Sequence, residues 1–242
     1  MTTVKMCAYI VMLVAAICCQ AQEANTVAPK TLSDIILQEV LPSEFGQFQA
    51  LAKEGYNRAT ADAALALVKA AHEILREQQT NKEEFSAAER QKGASAYTFA
   101  WEQAIKTWQK TQDSAARSAI LALWDSSLKE NNDERRVQIL ALVGPWERAF
   151  LSQAFIQLFG QTKDAMILHA MCKVLGQHGE LAEKALLHEK RESLSEVMNP
   201  QTAEYATILS NIDDALKRIE YWEKGDYARA GPAKGGPAGD GD

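Results

Sequence analysis

From Thr31 onward, apolar residues recur every three or four positions almost without interruption, and no stretch combines strict apolar-polar alternation with β-branched residues. That periodicity predicts an all-α fold with essentially no sheet. Thr31 and Asp34 are spaced as a capping box ahead of Ile35, Ile36, Val40 and Leu41. Pro42 is expected to end that helix, and Ser43 to cap a short second one that carries Phe45, Phe48 and Leu51 and stops at Gly55. A third helix is predicted from about Thr60 to Gln78, with Ala64, Leu67, Val68, Ala71 and Leu75 along one side. Residues 81–92 are polar, with room for one short helix before a break at Gly93. Tyr97, Trp101, Ile105 and Trp108 then form one stripe, and Asp113 caps a further helix with Ala116, Ile120, Leu123, Trp124 and Leu128 inward.

The second half repeats a theme. Similar stretches begin near Asp133, Asp164 and Pro200, at spacings of 31 and 36 residues, and the first two close on Gly144 and Gly176. Each opens with a helix-start residue and then sets apolar or small residues on one helical face, the imprint that stacked helix pairs leave in a sequence. The first pair is expected as helix 133–143, a break at Gly144-Pro145, and a partner that starts at Pro145, carries Phe150, Ala154 and Leu158, and ends at Gly160. Residues 164–177 and 180–196 make the next pair. A last helix, Pro200 to Trp222, presents Tyr205, Leu209, Ile212, Leu216 and Ile219 as a packing seam.

Ala170-Met-Cys-Lys-Val-Leu-Gly-Gln-His-Gly179 resembles the end of a first helix in short, bacterial-type HEAT repeats, and residues 133–222 as a whole resemble the HEAT-repeat superfamily. The arginine-bearing step of that family is replaced by Ile167-Leu168 and Ala203-Glu204, and Ser210-Asn211 stands where Leu-Gly is usual, which leaves the number of repeats open. The resemblance implies a short α-solenoid, a curved right-handed stack of antiparallel helix pairs whose inner face binds proteins or peptides. It transfers no binding residue to a numbered position, because fold does not carry function.

The two ends differ from this helical middle. Lys5, the apolar run Met6 to Cys19, and the small residues Cys19 and Ala21 have the layout of a secretory signal peptide over residues 1–21, with cleavage between Ala21 and Gln22. The run is too short to span a bilayer as a helix, so retention as an N-terminal membrane anchor is the minor alternative. Residues 22–30 read as a linker, 31–112 as an N-terminal helical region, 113–224 as the HEAT-like region, and 225–242 as a tail too rich in Gly and Pro to order itself. The expected location is periplasmic or extracellular. Cleavage would leave Cys172 as the only thiol, so no disulfide framework is available.

Charge narrows the partners. The chain holds 26 Lys and Arg against 32 Asp and Glu, a net charge of −6, and its adjacent basic pairs Arg135-Arg136 and Lys190-Arg191 sit beside acids and read as solvated surface. That balance argues against nucleic acid, whose binders cluster Lys and Arg on the phosphates.

The candidate chemistry is thin. His169 and Cys172 share a helix side, with His178 and His188 following, but the spacing matches no zinc signature and Cys172 falls on the core stripe. Ser126-Ser-Leu-Lys129 has the S-x-x-K spacing of serine acyl-enzymes without the companion motifs. The paired acids Glu83-Glu84 and Asp213-Asp214 point in different directions on a helix. No phosphate loop or dinucleotide fingerprint occurs. No cofactor, metal site or catalysis is therefore expected.

Aromatic anchors dominate interfaces, and among the tryptophans Trp101 and Trp108 read as core, whereas Trp146 and Trp222 are the candidate partner contacts. The resulting expectation is an exported binding scaffold for a protein or peptide. Two rivals remain at this point: a structural tether in the envelope, and an enzyme whose site is assembled from distant residues.

Overall fold

A computed structural model describes residues 31–130, 132–140 and 147–224. The predicted leader with its Ala21-Gln22 cleavage, the linker, Gly144-Pro145, Trp146 and the tail lie outside the described residues. The described residues from Ile36 onward belong to one compact unit, separate from that of residues 31–35. Among the described residues every regular element is a helix.

The elements are α1 (Leu32–Val40), α2 (Pro42–Glu54), α3 (Arg58–Thr80), α4 (Ala87–Lys110), α5 (Ser114–Lys129), α6 (Asp133–Gln138), a 3-10 turn (Arg148–Phe150), α7 (Gln153–Gln161), α8 (Ala165–His178), α9 (Leu181–Val197) and α10 (Ala203–Glu223). Their starts follow capping chemistry. The Thr31 hydroxyl accepts from Asp34 N–H at 3.2 Å and the Asp34 carboxylate accepts from Thr31 N–H at 3.0 Å. Asp113 and Asp164 cap α5 and α8 in the expected places, accepting from Ala116 N–H at 2.6 Å and Ile167 N–H at 2.8 Å.

Several boundaries differ from expectation. Pro42 starts α2 as its first residue, where its missing N–H costs nothing, and Ser43 does not cap it. Gly93 does not break the chain: α4 begins at Ala87, with Ser86 and Glu89 forming a capping box, and runs straight through it. The glycine is there for space. A Cβ at position 93 would lie 2.1 Å from the Gln78 side-chain oxygen, so only a bare Cα lets that buried amide lie between α3 and α4.

Phe150 sits on the 3-10 turn rather than on a helix begun at Pro145, and α7 starts only at Gln153, capped by Ser152. Gly160 lies inside α7, which continues to Gln161. The last helix starts at Ala203 with Thr202 as its cap, so Pro200 precedes it in a turn.

Packing is closest between α2 and α3, α3 and α4, α9 and α10, and α8 and α10. Alternate helices also meet, α3 with α5, α5 with α7, and α6 with α8. α8 thus contacts both α6 and α10. Gly176 serves the α8–α10 approach, because a Cβ there would stand 3.2 Å from the Ala215 Cα. Around α4 and α5 the core is aromatic: Trp101 meets Trp124 edge-on at 5.6 Å, Trp124 meets Phe150 at 5.7 Å, and Trp108 meets Phe150 at 5.1 Å. Trp124 also donates its indole N–H to Phe150 O at 3.1 Å, which pins the 3-10 turn to α5.

Candidate interaction surface

The core stripe of α9 runs through Glu183, Leu187, Lys190 and Leu194, all buried. This helix carries more apolar residues than the stripe uses. Leu181, at its first position, is 72 % exposed, and Ala182 and Ala185 are exposed as well. They line two shallow depressions, one on each flank of α9. Toward α10 lies a depression of about 430 Å³ bounded by Glu180, Leu181, Ala182, Trp222 and Glu223. Toward α7 lies one of about 260 Å³ bounded by Ile156, Ala182, Glu183, Ala185, Leu186 and Glu189.

Trp222 is half-buried and held at one edge. Its indole N–H donates to Gly176 O at 3.1 Å, near the end of α8, which fixes the ring while leaving part of it to solvent. The base of the site is equally fixed. Arg148 grips both carboxylate oxygens of Glu183 at 2.9 Å and also donates to His178 O at 3.0 Å, while Glu183 accepts from Glu180 N–H at 2.9 Å. Burial opposes ionisation of Glu183, but the hydrogen bonds from Arg148 and the backbone outweigh it and hold the carboxyl below its usual range. Lys184 reaches from α9 to Glu220 at 3.3 Å and Glu223 at 3.4 Å on α10.

A second polar cluster lies between α3, α4, α5 and α6. Arg135 donates to Glu130 at 2.7 Å, to Gln79 at 3.2 Å and to the His72 ring, which is tilted against Tyr97 at 5.8 Å. Burial, then the Arg135 charge, holds the His72 pKa below the ordinary histidine value, with Glu130 and Glu73 pulling the other way. Burial also pushes the Tyr97 hydroxyl up to about 12. Next to this cluster is a cavity of about 500 Å³ lined by Leu75, Gln78, Gln79, Lys82, Arg90, Gln138 and their neighbours. Held by His72, Glu130 and Gln79 at once, Arg135 ties α6 to α3.

Two of the basic residues expected at the surface are buried. Arg135 and Lys190 are each 6 % exposed. Each satisfies acceptors that neighbouring elements leave open: Lys190 donates to Gly160 O at 3.2 Å and Thr162 O at 2.9 Å, capping the end of α7 as Arg135 serves Glu130 and Gln79. Arg191 behaves as expected and pairs with Asp213 at 2.8 Å.

The other candidates are not brought together. Cys172 is buried, and burial pushes its thiol up to about 12. Among the described residues no group of three or more His, Cys, Asp or Glu could hold a metal ion. Ser126 is exposed near the end of α5, and the neighbouring Ser127 is buried. Trp101 and Trp108 are core residues, as their stripe predicts. Among the described residues no helix is long and apolar enough to cross a membrane. No protein-family model matches the chain, and neither a curated protein nor a solved structure shows significant similarity to it.

Proposed function

We propose that the chain is an exported, non-enzymatic binding protein: a short array of stacked helices, HEAT-like over residues 133–222, that holds a protein or peptide partner against the outer side of α9. The observation that carries this reading is the coincidence of a 72 % exposed Leu181 with a half-buried, hydrogen-bonded Trp222 at the edge of one depression. A contiguous apolar patch rimmed by polar groups marks a surface that a partner covers. Trp222 is anchored in advance, so little side-chain entropy is lost when it is covered. The contacts of α8 with α6 and with α10, and of α9 with α10, support the stacked-array part of the reading. The leader-like residues 1–21 support export.

Site-specific photo-crosslinking in the full chain tests it. A photoreactive residue at position 181 is expected to give a discrete protein adduct in native envelope or culture fluid, and one at Glu77 on α3 none. Absence of an adduct at 181, or the same adducts from both positions, would overturn the reading.

A further inference from the structure

The two depressions beside α9 are apolar at their centres and acidic at their edges. Their linings include Glu180, Glu183, Glu189 and Glu223, and no lysine or arginine. Two cations beside them are engaged, Arg148 with Glu183 and Glu180, and Lys184 with Glu220 and Glu223, while Arg218 on α10 and Lys224 just past its end lie outside the linings. The linings themselves thus hold four carboxylates and no cation, and Glu189 is exposed with no ion pair among the described residues.

A second copy of this chain would bring the same acidic face, on a body of net charge −6, against itself. An anionic lipid surface is repelled in the same way. Charge complementarity selects the opposite partner. Resting on the binding-protein reading above, we infer that the α9 face takes a cationic amphipathic segment of another protein. Bulky apolar side chains of that segment seat on Leu181, Ala182 and Trp222, and its lysines or arginines meet Glu180, Glu189 and Glu223.

Three synthetic peptides of equal length, titrated into the full chain by fluorescence anisotropy, test the inference: one of Lys and Leu in amphipathic helical order, one with Glu in place of Lys, and one with Ser in place of Leu. The Lys/Leu peptide is expected to bind at least ~10-fold more tightly than either control and to weaken as salt rises. E189K combined with E223K is expected to weaken it ~10-fold, whereas E73K with E77K on α3, an equal change in formal charge, changes it less than ~2-fold. Far-UV circular dichroism checks that both variants fold, and the peptide series on the unaltered protein does not depend on them. Equal binding of the Glu/Leu peptide, or equal weakening by the α3 variant, overturns the inference. If crosslinking at 181 succeeds while the Lys/Leu peptide shows no preference, the charge assignment falls and the binding role stands; if both fail, both fall.

Discussion

Around α4 and α5 the large rings face one another: Trp101, Trp124 and Phe150 are fully buried, and their edge-to-face contacts join two helices and the 3-10 turn. Around α8, α9 and α10 the core is aliphatic, built from Ile167, Leu168, Leu175, Leu187, Leu194, Ile212 and Ile219, and the one described tryptophan there stays half exposed at the edge of a depression. The same residue type thus does two jobs. Where three elements converge on an indole it is a keystone; where only α8 offers it an acceptor it is a rim. Spare apolar surface collects in the second region because, among the described residues, α9 has neighbours on two flanks and none over Leu181.

The contrast is most easily broken at the aromatic core. Trp124→Ala is expected to cost about 3–5 kcal/mol in urea unfolding, the range for a large ring removed from a packed site. Trp222→Ala loses one hydrogen bond and partial burial and is expected to cost about 1 kcal/mol. Equal losses would mean that Trp222 is as structural as Trp124. In the aliphatic region the tight point is Gly176: Gly176→Leu meets Ala215 backbone and is expected to cost about 1–3 kcal/mol. A lowered urea midpoint with helix content retained would show the α8–α10 approach to be specific.

A smaller effect separates the regions by pH. The folded-state pKa of His72 is lowered, so the unfolded chain takes the proton more readily. Its contribution is complete above the unfolded value of about 6.5 and is lost as pH falls from there toward the lowered folded value, with a slope of at most about 1.4 kcal/mol per pH unit. Protonation would add a charge facing Arg135 and Arg76, offset in part by Glu130 and Glu73. Urea midpoints between pH 7.5 and 5.5 are expected to fall less steeply in His72→Gln than in the unaltered chain, and parallel slopes would exclude His72 as the source. The smallest expected effect is Leu181→Ser, which changes stability by less than about 0.5 kcal/mol. The same variant is expected to abolish the adduct formed by a photoreactive residue at Trp222; a stability loss as large as that of Trp124→Ala would place Leu181 in the core.

What the sequence reveals here is what local chemistry decides. The stripes through Tyr97–Trp108 and Ala116–Leu128, and the caps at Asp113 and Asp164, depend on residues within one or two turns, and they stand where periodicity and capping put them. Features that depend on distant residues were not legible. Gly93 looks like a break until Gln78, fifteen positions away, is seen against it. Phe150 follows a helix-compatible pattern, but Trp108 and Trp124 draw it onto a 3-10 turn. Arg135 and Lys190 read as surface because the acceptors that bury them come from other elements. The partial exposure of Trp222 is legible from its place at the helix end. The exposure of Leu181 is not, although the apolar residues of α9 outside its buried stripe carry the signal.

One of these buried cations has a kinetic meaning. The Lys190 ammonium is enclosed between α7 and α9 with two of its hydrogens given to Gly160 O and Thr162 O, and burial holds its pKa below the ordinary lysine value. An amine-reactive reagent meets it only when the two helices part, so its acylation rate is a clock for the opening of that seam. An occupant spanning the α7 flank of α9 would slow the clock without touching the lysine.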